Sequence, residues 1–235
     1  EKMSKSRGNV VAPDHLVRQY GADTVRVYLM FFTKWEQGGP WSYDGIRGPQ
    51  RFLQDVWSAA TAVYSPKKVE KAATRSLRRK THQVIRKVSE DMEGFSFNTA
   101  IAAMMEMRNL LVATQKAGNA SVEAWNEAID NLLLLLSPIA PHITEELRTQ
   151  RGGEGSIHEA AWPTWDDEVA KEDVMVVPVQ INGKVRDRFE TAAGTSNEEL
   201  ERLALASERV QSLLEGKPPR KVIVVGNGRL INIVK

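Results

Sequence analysis

The sequence predicts a mainly α protein that closes with a small α+β domain. Three observations carry this. From 42 to 150 apolar residues return every three or four positions, the period of a helix with one buried face. Short Gly- and Pro-containing breaks separate four such stretches, as in an antiparallel bundle. After 174 the period changes, and a β-rich apolar run meets Asn182-Gly183, a two-residue hairpin signal.

The elements follow in order. A polar, cation-rich loop from Glu1 to Val11 leads to Pro13-Asp14, a helix start, with Gly21 as its stop. A second short helix is expected over Asp23 to Phe32, with Val27, Met30 and Phe31 on one face, ended by Gly38-Gly39-Pro40. Ser42 is a candidate N-cap for a helix carrying Ile46, Phe52, Leu53, Val56, Trp57, Ala60, Val63 and Tyr64, with Pro66 beyond it. The next helix spans Lys71 to Glu93, with Leu77, Val84, Ile85, Val88 and Met92 inward and Gly94 as the stop. Asn98 or Thr99 is expected to cap a third, and Gly118 to end it. Ser121 caps a fourth, holding Trp125, Ile129, Leu132, Leu133 and Leu136, and a short helix follows near His142 to Leu147. An acidic, Gly- and Pro-interrupted stretch then reads as a surface connection pinned by Trp162 and Trp165. Strands are expected over Met175 to Ile181, Lys184 to Glu190, Val222 to Val225 and Leu230 to Val234. Two helices lie between the second and third, the first capped by Ser196 or Asn197. The expected domains are 1–45, a connector; 46–150, the bundle; 151–173, a linker; and 174–235, the α+β domain.

Composition narrows the classes. With 235 residues and 42% apolar content the chain can bury real cores, which excludes general disorder. It has no Cys, so disulfides and thiolate metal sites are excluded, and its four scattered His make no ligand pair; no structural metal is expected. The longest apolar run, Leu132 to Leu136, cannot cross a bilayer. A net charge of +2 decides nothing, but its distribution does.

The opening reads Lys2-Met3-Ser4-Lys5-Ser6-Arg7-Gly8-Asn9-Val10-Val11, followed by Pro13-Asp14 and Tyr20-Gly21-Ala22-Asp23-Thr24. This stretch resembles the signature loop of class I aminoacyl-tRNA synthetases. The resemblance implies ATP as substrate, with Mg, and the loop residues Lys2, Met3, Ser4, Lys5 and Ser6 at its phosphates. In that chemistry a carboxylate attacks the α-phosphate and pyrophosphate departs. Two cations on a mobile loop meet charge that grows only in the transition state, so they raise rate and not merely binding. Lys2 and Lys5 are the implied catalytic residues, with Lys5 nearest the phosphates. Ser4 and Ser6 add hydroxyl donors, Gly8 permits a bend, and Met3 is expected to pack.

Further stretches resemble the leucyl type within class Ia. Trp41-Ser42 with Asp44-Gly45-Ile46, then Arg51-Phe52-Leu53 and Val56-Trp57, look like the start of the leucyl helix bundle. Phe97-Asn98-Thr99-Ala100-Ile101-Ala102 and Pro138-Ile139-Ala140-Pro141-His142 with Glu145-Glu146-Leu147 resemble the class Ia anticodon-binding bundle in general. Val179-Gln180-Ile181-Asn182-Gly183-Lys184-Val185-Arg186 and Arg220 to Val225 look like the C-terminal domain of bacterial leucyl enzymes. Arg148 stands where the family commonly has Trp. No His-x-Gly-His pattern occurs, so the nucleotide-binding core and the editing domain are expected to lie outside these residues. The isolated chain is not expected to activate leucine by itself. By resemblance the partners are tRNA(Leu), ATP, and leucine held elsewhere, in a cytoplasmic monomer with no membrane contact.

Two basic surfaces are candidates for tRNA. Arg75, Arg78, Arg79, His82 and Arg86 recur at helical spacing as one stripe, able to neutralise phosphates. Lys184, Arg186 and Arg188 alternate along one strand and are expected to share a face; Lys221 begins another strand. The plain alternatives are a solvated helix face and an edge strand protected by charge. Trp57, Trp125, Met104 and Met105 sit at core spacing and are expected to pack. His142 is expected to be a structural His. Trp35 and Trp41 flank the Gly-Gly-Pro turn and fit either packing or tRNA contact. Two readings compete with the leucyl one: another class Ia ligase, of valyl or methionyl type, and a non-enzymatic helical RNA-binding module that needs no working phosphate loop.

Overall fold

The computed structural model describes every residue except 1, 2, 35, 36, 38, 40, 173, 193 and 227. The chain divides into two compact units, Glu1–Ala170 and Lys171–Lys235.

The first unit opens with a 3₁₀ turn, Lys5–Arg7, then α1 (Pro13–Tyr20) and α2 (Ala22–Phe31). Pro13 starts α1 because its missing N–H is one a helix start leaves unpaired anyway. Leu16, Val25, Tyr28 and Ile46 form a small core under the two helices. The Tyr28 hydroxyl donates to the Ser42 carbonyl at 2.9 Å and accepts from the Ser42 amide at 3.2 Å. Ser42 is therefore not a helix cap. Its hydroxyl accepts from the Gly45 amide at 3.3 Å, closing the turn that precedes α3 (Arg47–Thr61). The expected turn at Gly38-Gly39-Pro40 and the side chain of Trp35 fall outside the described residues. Trp41 packs edge-on against Tyr28, with ring centroids 5.0 Å apart.

The bundle continues with α4 (Lys71–Glu93), α5 (Phe97–Ala117), α6 (Val122–Leu136) and α7 (Pro141–Gln150). Its core joins Phe52, Val56, Leu77, Ile85, Val88, Ile101, Met104, Leu111, Trp125, Leu132 and Leu136, all nearly inaccessible. Met105 packs at its margin. Trp125 is buried and stacks on Tyr64 at 4.4 Å. Val63 is almost wholly exposed, because α3 has already ended at Thr61. The cap of α5 is Ser96, two residues before the expected position. Gly118 ends α5 at φ +62, and a Cβ there would stand 3.2 Å from the Lys67 amide nitrogen, which donates to the Gly118 carbonyl. Glycine is needed there both for the left-handed turn and for that close approach. Ser121 caps α6 as expected, accepting from the Ala124 amide. The acidic stretch after α7 ends in α8 (Asp167–Ala170), packed along α4, and Trp162 donates its indole N–H to Ser89 of α4 at 2.8 Å.

The second unit is β1 (Val174–Ile181), β2 (Lys184–Ala192), α9 (Asn197–Ala206), α10 (Glu208–Leu214), β3 (Lys221–Val225) and β4 (Leu230–Val234). The sheet order is β2-β1-β4-β3, with β1 and β4 parallel and the other pairs antiparallel. Asn182 and Gly183 both have positive φ, as a tight hairpin of this hand requires. Val177, Val179, Ile181, Ile231 and Ile233 pack with Leu200, Ala204, Val210 and Leu214 from α9 and α10. Of the last expected turn, Asn227 lies outside the described residues.

Candidate nucleic-acid interface and phosphate loop

Within the opening loop the residues 4–9 close on themselves. The Ser4 amide donates to Asn9 Oδ1 at 2.8 Å, and the Ser4 and Ser6 hydroxyls lie 2.7 Å apart. The Arg7 and Gly8 amides donate back to the Ser4 and Lys5 carbonyls, and Gly8 takes φ +64. Lys5 stands exposed on this turn. Met3 is also exposed, at 43%, and does not pack as expected. Lys2 lies outside the described residues.

The stripe on α4 is not the open cationic face its spacing predicts. Arg78 donates Nε to Glu127 Oε2 at 2.8 Å, and His82 Nε2 lies 3.1 Å from the other oxygen of the same carboxylate. The Asp166 amide donates to His82 Nδ1 at 2.9 Å, so the ring proton sits on Nε2 and points to Glu127. Arg86 pairs with Asp167 at 3.4 Å. Burial alone would raise the Glu127 carboxyl, but the hydrogen bonds from Arg78 and His82 and the charge of Arg78 outweigh it and hold the group below its ordinary range. Arg78 is pushed up in return, first by its hydrogen bond to Glu127. Arg75 lines a cavity of about 500 Å³ beside Glu168 and Val169, and Arg79 also has an interaction partner. Glu127 and the acidic 166–168 segment thus draw much of the stripe into internal pairing. The spacing found the stripe, but nothing local to α4 announces partners 45 and more residues away.

In the second unit a β-bulge overturns the expected single face. Gln180 pairs with Val185 and Val179 with Asp187, which leaves Arg186 as the extra residue. Lys184, opposite Ile181, therefore points to the side of the sheet that carries the helices, though it is itself exposed, while Arg188, opposite Pro178, points to the other. Lys221 pairs with Val234, whose neighbour Ile233 is buried among the helices, so Lys221 shares the open face with Arg188. These two cations stand on β2 and β3, the two edge strands, with Pro178 and Gln180 of β1 and Asn232 and Val234 of β4 between them. Asp187, on the inner side, accepts from the Ser207 hydroxyl and from the Arg188 amide, and these bonds hold its carboxyl below the ordinary value.

A third feature was not foreseen. Asp23 of α2 caps α7: Oδ2 accepts from the Ile143 amide at 2.7 Å, and Oδ1 from His142 Nδ1 at 2.8 Å. The clue was Ala140, which occupies the N-cap position of α7 with no acceptor in its side chain. His142 is thereby a satisfied structural residue, as expected. Beside this cap opens a cavity of about 600 Å³, lined by Tyr20, Gln50, Leu53, Gln54, Trp57 and His142 among others. Trp57 is 37% exposed there and is not the core residue its spacing suggested.

The chain belongs to the family described as the anticodon-binding domain of tRNA ligase, whose model matches residues 74–202. Residues 1–39 match a second family, the class I tRNA synthetases for I, L, M and V. At the level of single proteins the similarity is to leucine–tRNA ligases. That of Dehalococcoides mccartyi strain 195 is 46% identical over 234 residues, and that of Herpetosiphon aurantiacus 47% over 234. These alignments cover 100% and 99% of this chain, but 29% and 28% of the relatives. The chain therefore spans under a third of the length of the curated relatives it matches. A solved ternary complex of the agnB2 LeuRS of Agrobacterium radiobacter K84 with tRNA and LeuAMS superposes with a TM-score of 0.82 at 33% identity. It covers 100% of this chain and 31% of that one.

Proposed function

We propose that this chain is the C-terminal part of a cytoplasmic, monomeric leucine–tRNA ligase, which joins leucine to tRNA(Leu) at the expense of ATP. The similarity of the whole of this chain to leucine–tRNA ligases is the observation that carries the reading, and the similar LeuRS solved with tRNA supports the partner. Among the described residues no helix is long and apolar enough to cross a membrane.

In the first step the leucine carboxylate attacks the α-phosphorus, and the bond from phosphorus to the pyrophosphate oxygen breaks. Lys5, exposed on its closed turn, meets the charge gathering on the leaving group, and Ser4 and Ser6 add hydroxyl donors. Lys2 is assigned the supporting cation on its place in the motif. Mg accompanies the ATP phosphates; among the described residues no cluster of His, Asp and Glu could hold it. For tRNA, Arg188 and Lys221 on the open sheet face are the phosphate contacts best supported by geometry; Arg75 and Arg79 on α4 already have interaction partners. Arg78 and Arg86 join them only by exchanging acidic partners for phosphates.

Lys5→Ala in the complete ligase tests this. Leucine-dependent ATP–pyrophosphate exchange is expected to fall by roughly a hundredfold or more, as for loss of one transition-state donor, with tRNA affinity little changed. Unchanged exchange would refute the enzymatic reading and leave an RNA-binding module.

A further inference from the structure

The cavity beside the α2–α7 junction has a lining that no part of the proposed chemistry uses. Gln50, Gln54, Trp57 and Ser58 fall at i, i+4, i+7 and i+8 on α3, so they form one face of that helix, and all four line the cavity. Neither Gln side chain has a hydrogen-bonding partner within the described residues. Trp57 presents more than a third of its surface. Opposite them stands His142, whose Nδ1 is bonded to Asp23 and whose side chain is largely exposed. In the neutral ring this leaves Nε2 as an acceptor. Asp23 is the lone formal charge in the lining, and both its oxygens are already taken by the cap on α7.

A lining without Lys or Arg, whose one formal charge is the Asp23 carboxylate, excludes phosphate as the natural occupant, since nothing in it would compensate the charge. An exposed indole flanked by two unused amides and an imidazole acceptor suits a flat, neutral heteroaromatic with donors and acceptors on its edge. That is how unpaired bases are recognised, by stacking on an aromatic ring while amides read the edge. About 600 Å³ is ample for a base and its sugar. Resting on the tRNA-binding reading above, the geometry points to a pocket for one unpaired nucleobase of the bound tRNA, stacked on Trp57 and read by Gln50 and Gln54.

The test is equilibrium binding of a leucine tRNA transcript to the 235-residue chain, carrying either Trp57→Ala or Gln50→Ala with Gln54→Ala. The glutamine pair guards against misfolding of the Trp variant, since those side chains make no internal bonds; circular dichroism checks both. Each variant is expected to lose affinity about tenfold, with the salt dependence unchanged because no phosphate contact is removed. Wild-type affinity in folded variants overturns the pocket. So does a loss of activation in the complete ligase with tRNA affinity intact, which would mean the cavity seats protein. If the unsubstituted chain binds no tRNA, the broader reading fails instead. The four nucleosides at millimolar concentration then decide the pocket: perturbed amide resonances confined to residues 50–58 support it, and none refutes it.

Discussion

Asp23 and Ile143 are 120 residues apart in sequence, yet the Asp23 carboxylate accepts the Ile143 amide at 2.7 Å and so closes the N-terminus of α7. Arg26, one turn further along α2, donates to the carbonyls of Ile139 and Pro138 on the same segment. An acid and a base on one helix thus grip the Pro138–Ile143 turn from both of its polar ends. This ties α2, and α1 packed against it, to the bundle.

Asp23→Ala removes the cap and leaves the Ile143 amide and the His142 ring nitrogen without their partner. The expected cost is about 1–2 kcal/mol, read as a lower urea midpoint with an unchanged m-value. Asp23→Asn, which keeps one acceptor oxygen, is expected to recover most of it. A midpoint unaltered by the alanine would show that the cap contributes nothing.

Glu127 makes stability depend on pH. Its carboxyl is held below the ordinary value in the folded chain, so the folded state binds its proton less readily than the unfolded one. The contribution is full above the unfolded value of about 4.5 and is lost as pH falls through the lower folded one. Glu127→Gln is expected to cost about 1 kcal/mol at neutral pH, allowing for solvent screening. In thermal melts the gap to wild type should close in acid. A gap that stays constant from pH 7 to about pH 3 would contradict this assignment.

Asn9 holds the opening loop in its curve. Asn9→Ala frees the Ser4 amide and lets the turn open, so Lys5 must be ordered at the moment of reaction. In the complete ligase the expected result is a lower kcat for pyrophosphate exchange, by about tenfold, with the KM for leucine unchanged. Asn9→Asp keeps the acceptor and should fall between the two. A raised KM with unaltered kcat would assign Asn9 to ground-state binding.

The bulge at Arg186 separates the cations of β2 by face. Arg188→Ala and Lys221→Ala are each expected to weaken tRNA binding and to reduce its salt slope by about one. Lys184→Ala, on the side that carries the helices, should change both far less. Equal effects from Lys184 and Arg188 would mean that tRNA wraps the edge and does not lie on the open face.

Much of this protein is legible in one dimension. The bounds of α4, the caps at Gly94, Gly118 and Ser121, the Asn182-Gly183 hairpin and the four strands all follow from local causes. Helix α5 ends where Gly118 takes a left-handed turn, α4 ends at Gly94 without one, and a strand turns where two residues accept positive φ. The cationic loop is legible for the same reason, since its residues are contiguous. By itself, the sequence determined the fold class, the order of elements and the family. Only tertiary structure decided which charges are already paired and which faces they occupy. Glu127 takes Arg78 and His82 because α6 packs beside α4, Asp23 caps a helix from the far side of the chain, and one extra residue turns Lys184 away from Arg188. Each depends on contacts between distant segments, and periodicity along a single element carries no record of what that element will meet.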